Sequence, residues 1–458
     1  MKATKAARDL KPSSFGREHA LRGDWRNTLR QGRTARNWQS PVTYAANLRG
    51  ARAVRLIYPG CFVIPSSMIL PLANALSFAR VLLILATTFA VREIFYKIRG
   101  NGYALVVSDI IVFALCSWML VALYYNTGAK ALGGIGAVSA IEFVFAYLIG
   151  RTVFGTIETY YLFVSALRVV VSALCLWAMT DIISGVNIVF KIGQVLTGGT
   201  SAIEFTSYRF GLIRAQGAIE HPILMGTFFA MCFVIFLHST LSHIQKLIWC
   251  FVSLFGMGLA LSSAPFLSCA LSILLYLYYR AFDQKPWRFT LLMLVSLYSL
   301  FLIYFLADDP VRVMIDHLTL DPQTGLYRLQ IWRWGLVNVR SAPFFGIGLA
   351  DWIRGDEMSA TIDSLWLVQT VRYGIPGSVL LALALLSTGI TVAVGRLRPL
   401  GAEVEDARRG LAICIFLYAF AAFTVHIWGY NWIFLASLLG IRAGLTESQC
   451  RMRSYTSA

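Results

Sequence analysis

Apolar runs of bilayer length recur from residue 56 almost to the end of the chain, and no other feature limits the fold as strongly. A helical crossing needs about 20 mostly apolar residues, fewer where flanking side chains reach the interface. Such runs occupy Leu56–Leu72, Phe78–Phe95, Ala104–Tyr125, Ile135–Gly150, Tyr161–Ile183 and Ile223–His238. A second set follows at Leu247–Ser262, Phe266–Tyr279, Phe289–Ala307, Leu365–Val394, Leu411–Val425 and Trp432–Leu445. The pattern predicts an all-α integral membrane protein with about twelve transmembrane helices. Two runs are irregular: the first carries Pro59, Pro65 and Pro71, and the tenth is overlong with Gly374, Pro376 and Gly377 inside it, where a kink is expected. The chain is 57% hydrophobic and only 14% charged, against about 45–50% and about 25% in soluble proteins, which excludes disordered and coiled-coil classes.

The net charge of +17 is not spread as on a nucleic-acid-binding surface. Residues 1–55 hold thirteen Lys and Arg against Asp9, Glu18 and Asp24, a net of +10. This reads as a basic disordered cytoplasmic tail near anionic lipid, without the aromatic pattern of a nucleic-acid binder. Placing it inside sorts most short-loop cations, including Lys97, Arg99, Arg151, Lys246, Arg408 and Arg409, to the same side. The division expected is tail 1–55, transmembrane domain 56–446 and cytoplasmic C-terminal tail 447–458, with both termini inside. The eight cysteines form no CxxC pair, and most lie in apolar runs, so neither a disulfide framework nor a zinc site is expected.

The two longest connections, residues 185–222 and 308–364, fall on the outer side. The second carries eight acids and five arginines with Trp332, Trp334 and Trp352. That mixture suits either a sugar-facing surface or an ordinary interfacial segment. Within it, Leu329, Trp332, Leu336 and Val339 recur at three- and four-residue spacing, predicting an amphipathic helix over Leu326–Val339 on the outer leaflet.

Soluble-enzyme motifs such as GxxxxGK[ST], HExxH and GxSxG are missing from the sequence, and its six histidines form no cluster at metal-ligand spacing. Three outer segments carry the chemistry instead. Arg214 stands before a span in Arg209–Pro222, where its planar fork suits phosphate oxygens, as it also suits lipid headgroups. Arg328 beside Tyr327 and Trp332 supplies a second cation, enough with the first to neutralise a pyrophosphate. Asp351-Trp352-Ile-Arg354 then leads to Asp363-Ser364 at the mouth of the tenth run. Asp363 there is placed either to take a hydroxyl proton or, like Ser364, to cap the next helix. Among ionisable residues within runs, Arg80–Glu142 and Arg168–Asp109 are conceivable ion pairs.

In order, these segments resemble the O-antigen ligase and polymerase superfamily of bacterial envelope glycan assembly. The matching stretches are Arg214-Ala-Gln-Gly217-Ala-Ile-Glu220-His221-Pro222, the run from Arg328 through Pro343 and Gly346 to Gly348, and Asp363-Ser364 through Gly374 and Gly377. The resemblance spans about residues 130–440. It implies a large periplasmic loop, here 308–364, and metal-independent glycosyl transfer without a cofactor in the bacterial inner membrane. The implied donor is an undecaprenyl-pyrophosphate-linked oligosaccharide and the partner a glycan acceptor, with other polysaccharide-assembly proteins possible beside it. Arg214 and Arg328 would then hold the pyrophosphate, with Tyr327, Trp332, Trp352 and Arg354 as further substrate-binding residues. Asp363, or else His221, would act on the acceptor hydroxyl.

Ligases of the family carry a His at the loop end where this chain has Asp363, so the resemblance favours a polysaccharide polymerase of the exopolysaccharide type. The alternatives are an O-antigen ligase to lipid A core and a twelve-span transporter or flippase. A carrier is expected to break its helices in matched halves, which the Gly and Pro positions here do not do.

Overall fold

A computed structural model describes residues 41–70, 76–99, 103, 105–133, 135–197, 207–282, 285–306, 312, 322–393 and 402–456. Its regular elements among these residues are helices, apart from one short hairpin and an isolated bridge between Ile69 and Ser77. The first half contains α1 (Pro41–Ile57), the single turn α2 (Gly60–Val63), α3 (Phe78–Arg99), α4 (Val107–Thr127), α5 (Ile135–Leu148) and α6 (Ile157–Ser184). After α7 (Ile188–Thr197), strands β1 (Tyr208–Arg209) and β2 (Leu212–Ile213) pair antiparallel. The second half runs α8 (Pro222–Leu237), α9 (His243–Leu259), α10 (Ser263–Phe282), α11 (Arg288–Leu306), α12 (Pro322–Ser341), α13 (Leu365–Ala393), α14 (Ala402–Ala421) and α15 (Gly429–Thr456).

Five helical stretches are long and apolar enough to cross a membrane: Val107–Lys130, Gly136–Val153, Ile157–Ser184, Ser263–Phe282 and Leu365–Ser387. Shorter apolar helices include Pro222–Leu237, His243–Leu259 and Arg288–Leu302. A helix hydrophobic on every side belongs in a core, and α8 is one: thirteen consecutive residues from Leu224 to Phe236 are buried. The part of α15 from Asn431 to Glu447 is buried likewise. Phe62, Phe228 and Phe434 meet between them, with ring centroids 4.6 to 5.9 Å apart. By contrast α11 exposes Phe289, Leu294, Leu297, Tyr298, Phe301 and Phe305, a surface suited to lipid.

Several expectations change at this level. Leu56–Leu72 is not one span: α1 ends at Ile57, Pro59 opens a single turn, and the chain is extended at Ile64. Proline's fixed φ and missing N–H prevent a continuous ladder there. The basic tail expected over 1–55 lies outside the described residues as far as position 40, and its last part is helical as α1. The C-terminal tail expected from 447 also begins as helix, the continuation of α15.

Arg151 was expected as a loop cation. It is fully buried instead, in a π-helical turn at Ile149–Val153. Its Nε donates to Asp109 Oδ1 at 2.9 Å and its Nη1 to Glu447, while Tyr147 donates to the same Asp109 oxygen at 2.6 Å. Burial without these carboxylates would cost several kcal/mol, roughly. Of the two conceivable ion pairs between runs, Arg80–Glu142 forms at 2.6 Å. Arg168 lies over the Trp249 ring at 5.9 Å, and Asp109 goes to Arg151.

The kink expected in the tenth run is at Gly374, whose φ of 75° and ψ of 176° interrupt α13 just before Pro376. The loop after α12 fills this break. Ile347 N donates to Val371 O at 2.8 Å, Gly348 N to Arg372 O at 3.1 Å, and Ile375 N to Pro343 O at 2.8 Å. Gly346 and Gly374 are required by close approach as well as positive φ: a Cβ on either would lie within 2.5 Å of opposing backbone. The loop is thereby latched to α13.

The helix expected over Leu326–Val339 exists as α12, with an inner face that keeps Trp332 and Val339 but not Leu336. Ile331 and Asn338 are buried, while Leu336 is exposed. Ile331 packs in a small core with Trp352, Ile362, Leu367, Val368 and Val371. Gly335 lets α12 close on α13, since a Cβ there would lie 2.4 Å from Leu367. Packing against α13, which the sequence spacing does not register, selects that face.

Candidate functional site

The hairpin β1–β2 turns through Phe210 and Gly211, both at positive φ (54° and 76°), the conformation of a tight two-residue hairpin. It delivers two arginines to the C-terminal end of α9. Arg209 Nη1 donates to Leu261 O at 2.8 Å, and Arg214 Nε donates to Ala260 O at 3.2 Å. Carbonyls at a helix C-terminus have lost their intrahelical donors and attract cations. The rest of the Arg214 guanidinium is not used: Nη2 is buried with no hydrogen-bond partner among the described residues.

The strap that follows is fixed to α6. Asp181 Oδ2 accepts Gln216 N at 3.2 Å and Gly217 N at 2.8 Å. Gly217 takes φ of 57°, lying 3.3 Å in Cβ terms from Trp177. The strap ends at His221, which caps α8 by accepting Ile223 N on Nδ1 at 3.1 Å, with Pro222 at the first helical position.

Arg328 enters from α12 with its Nε buried and without a hydrogen-bond partner among the described residues. Asp363 approaches from the residue pair before α13. Here Ser364, not Asp363, is the cap: its Oγ accepts Leu367 N at 3.3 Å and donates to Ala422 O at 3.0 Å. The Asp363 carboxylate is therefore released from capping.

These groups share one electrostatic environment. Arg209 and Arg328 both repel Arg214, and burial together with that repulsion lowers its pKa to about 10, still charged at neutral pH. Burial, then Arg214 and Arg328, hold His221 at about 3, so its ring is neutral. Burial raises the Asp363 carboxyl above its ordinary value while Arg328 draws it back. Burial likewise lowers Arg328, with Asp363 opposing. Arg328 thus lies within electrostatic reach of Arg214, His221 and Asp363, and Arg209 joins them as a third cation.

The other expected substrate-binding residues have structural partners. Trp352 is only 5% exposed, and its Nε1 donates to Ala360 O at 3.0 Å, so its ring face is not available to a sugar. Trp332 Nε1 donates to Phe423 O at 3.1 Å. Tyr327 Oη accepts Ser359 N at 2.7 Å. Arg354 pairs with Asp351 and donates to Met358 O, holding the loop's own shape. Of the three tryptophans in this segment the most accessible is Trp334, 37% exposed in a cleft lined also by Gln330, Arg333, Asp356 and Glu357. Among the described residues no three His, Cys, Asp or Glu side chains are grouped to hold a metal ion.

Arg209 and Asp181 escaped sequence reading. Arg209 had a signal, a Phe-Gly pair between Tyr208-Arg209 and Leu212-Ile213, which is how a tight hairpin returns one arginine beside another. Asp181 had none, lying 33 residues before Arg214 at the end of an apolar helix.

Residues 248–382, somewhat under a third of the chain, match the family model described as O-Antigen ligase. That match supports membership of the O-antigen ligase and polymerase superfamily. The matched stretch runs from α9 to beyond the α13 kink and contains Arg328 and Asp363; Arg214 and His221 precede it. The family is enzymatic, and its ligase- and polymerase-type chemistry is glycosyl transfer. No curated protein matches the chain.

Proposed function

We propose that this protein is a polysaccharide polymerase that transfers undecaprenyl-pyrophosphate-linked repeat units on the periplasmic side of the bacterial inner membrane. The observation that carries the proposal is the pair of buried, incompletely bonded guanidinium groups of Arg214 and Arg328 beside one carboxylate, Asp363. Buried cations with spare donors are arranged for an anion. A diphosphate leaving group is such an anion and gains charge as its bond to the anomeric carbon breaks.

The acceptor hydroxyl oxygen forms the new bond to that carbon, the pyrophosphate departs on its polyprenyl carrier, and the hydroxyl proton goes to Asp363. A carboxylate whose basicity is raised by burial, with Arg328 opposing, suits that task. His221 is the weaker base. Its Nδ1 lone pair is committed to Ile223 N, so the neutral ring carries its proton on Nε2 and is a donor there. It therefore serves the phosphate or the sugar as a hydrogen-bond donor. The Trp334 cleft, an aromatic face beside two carboxylates, is the place for the acceptor sugar. In this reading about twelve helices cross the membrane with both termini cytoplasmic, and the α12 loop is periplasmic.

The description of the matched family favours a second reading, ligation of finished glycan to lipid A core. Loss of the gene, complemented by wild type or Arg328→Ala and followed by gel analysis of surface glycan, separates the two. Polymerase function gives single repeat units in the null and with Arg328→Ala. Ligase function gives lipid-bound polymer that never reaches core. Full-length surface glycan with Arg328→Ala refutes the assignment of Arg328.

A further inference from the structure

The Trp334 cleft lies on the side of α12 turned away from Arg328. Ile331, Gly335 and Asn338 are buried, and they fall within about 80° of Arg328 around a helix that turns about 100° per residue. Gln330, Arg333 and Trp334 are exposed and fall about 120–160° from Arg328 on the same measure. Trp334 is also displaced along the axis, by about 9 Å at 1.5 Å per residue. The body of the helix, about 10 Å across with its side chains, therefore stands between the cleft and the Arg328 guanidinium. Asp363 belongs to the Arg328 side, within electrostatic reach of that cation.

The opposite wall of the cleft is a turn fixed to α12. Met358 N donates to Gly355 O at 2.9 Å, which puts Asp356 and Glu357 at the two central positions. Arg354 Nε donates to Met358 O at 3.1 Å. Asn338 ties the preceding chain to the helix, its Nδ2 donating to Ile353 O and its Oδ1 accepting Ile353 N, both at 2.8 Å. Gly355 lies against the indole edge, where a Cβ would be 3.6 Å from Trp334 Nε1. The space enclosed is about 330 Å³. The side chains of Gln330, Arg333, Asp356 and Glu357 and the Trp334 indole N–H make no hydrogen bond or ion pair among the described residues. A preformed wall with free donors and acceptors beside an aromatic ring matches a pyranose, whose C–H face packs on the ring while its hydroxyls both donate and accept.

We propose that this cleft is an outer subsite for the acceptor glycan, holding a pyranose unit behind the one whose hydroxyl reacts. The proposal rests on the reading of the protein as a transferase with a glycan acceptor, and adds that the acceptor binds fully only when it is longer than one sugar. The reacting hydroxyl has to reach Asp363, and the body of α12 keeps a ring stacked on Trp334 from doing so. A single glycan passing from one place to the other makes the second contact within the same complex, which strengthens binding with length. In the cleft Asp356 and Glu357 accept hydrogen bonds from sugar hydroxyls, Arg333 donates them, and Gln330 does both.

The test is titration calorimetry of free glycan into the full chain in detergent, which needs neither a lipid-linked donor nor turnover. The probes are fragments of one, two and four sugars, sized from a partial hydrolysate of the producing cell's own surface glycan. Wild type should bind the longest fragment about tenfold more tightly than the single sugar. Trp334→Ala, at wild-type melting temperature, should erase that gain. Should Trp334→Ala not fold, Asp356→Asn combined with Glu357→Gln alters only exposed turn positions and should diminish the gain instead. Affinity that does not rise with length in wild type, or a folded variant that keeps the full rise, overturns the subsite. Wild type that binds no fragment of any length overturns the acceptor reading beneath it, whereas the choice between polymerase and ligase is decided separately by the glycan profiles of the null and Arg328→Ala cells.

Discussion

The Asp181 carboxylate lies 2.8 Å from the amide nitrogen of Gly217, joining the end of α6 to the strap that carries Arg214 and His221. One oxygen holds two successive amides of that strap. Asp181 is thus a positioning residue, acting on the site through the backbone. Asp181→Ala should cost about 1–3 kcal/mol of stability through unpaired buried amides. Asp181→Asn, which retains an acceptor oxygen, should restore most of that stability and return the donor KM towards wild type. A donor KM unchanged in both variants would reduce Asp181 to a structural role.

Arg209 is the cation that sequence reading missed, and its contribution should be additive in charge and smaller than those of its neighbours. Arg328→Ala and Arg214→Ala should each lower kcat about 10²–10³-fold, the usual effect of removing a donor from a transition-state anion. Arg209→Ala should lower it less, because its Nη1 is already committed to Leu261 O. Steady-state transfer with a short-chain diphosphate donor measures the order. An Arg209 effect larger than that of Arg328 would contradict it.

Glu220 gives a pH signature. It adjoins His221, accepts Tyr430 N at 3.3 Å, and has its second oxygen buried without a hydrogen-bond partner among the described residues. Burial raises its carboxyl from the ordinary 4.5 to about 8. The folded state therefore holds this proton more tightly than the unfolded chain. Its stabilising contribution is complete below about pH 4.5 and is lost as pH rises through about 8. Glu220→Gln should flatten melting temperature over that interval, and an unchanged slope in the variant would exclude Glu220 as the source.

The latch between the α12–α13 loop and the α13 break should tolerate no side chain at Gly374. A Cβ would meet Phe344 O at 1.9 Å, at a φ that disfavours L-residues. Gly374→Ala should destabilise by more than about 2 kcal/mol and disturb Asp363 through the shared loop, seen as lower yield and lower transfer rate. Wild-type melting would refute the latch.

The class of fold was legible in the chain because burial in lipid demands long apolar runs, and these are a local property. The irregularity of two runs was legible for the same reason: Pro59 and Gly374 alter the backbone wherever they stand. Arg214, Arg328 and Asp363 could be selected one at a time from their residue types and their order. Their convergence could not, since it depends on how α9, α12 and the strap before α8 meet.

Partnership was decided by tertiary structure alone. Arg151 looked like a loop cation and became a buried ion-pair centre, because Glu447 reaches it from 296 residues away. Trp352 looked like a sugar platform and is a core ring of its own loop. Ser364 took the cap that Asp363 could have taken and left the carboxylate to Arg328. Sequence by itself determined which groups carry charge, apolar surface or a broken backbone. The packing determined which of those charges are satisfied, because pairing in a dry interior depends on distances that only the assembled helices set.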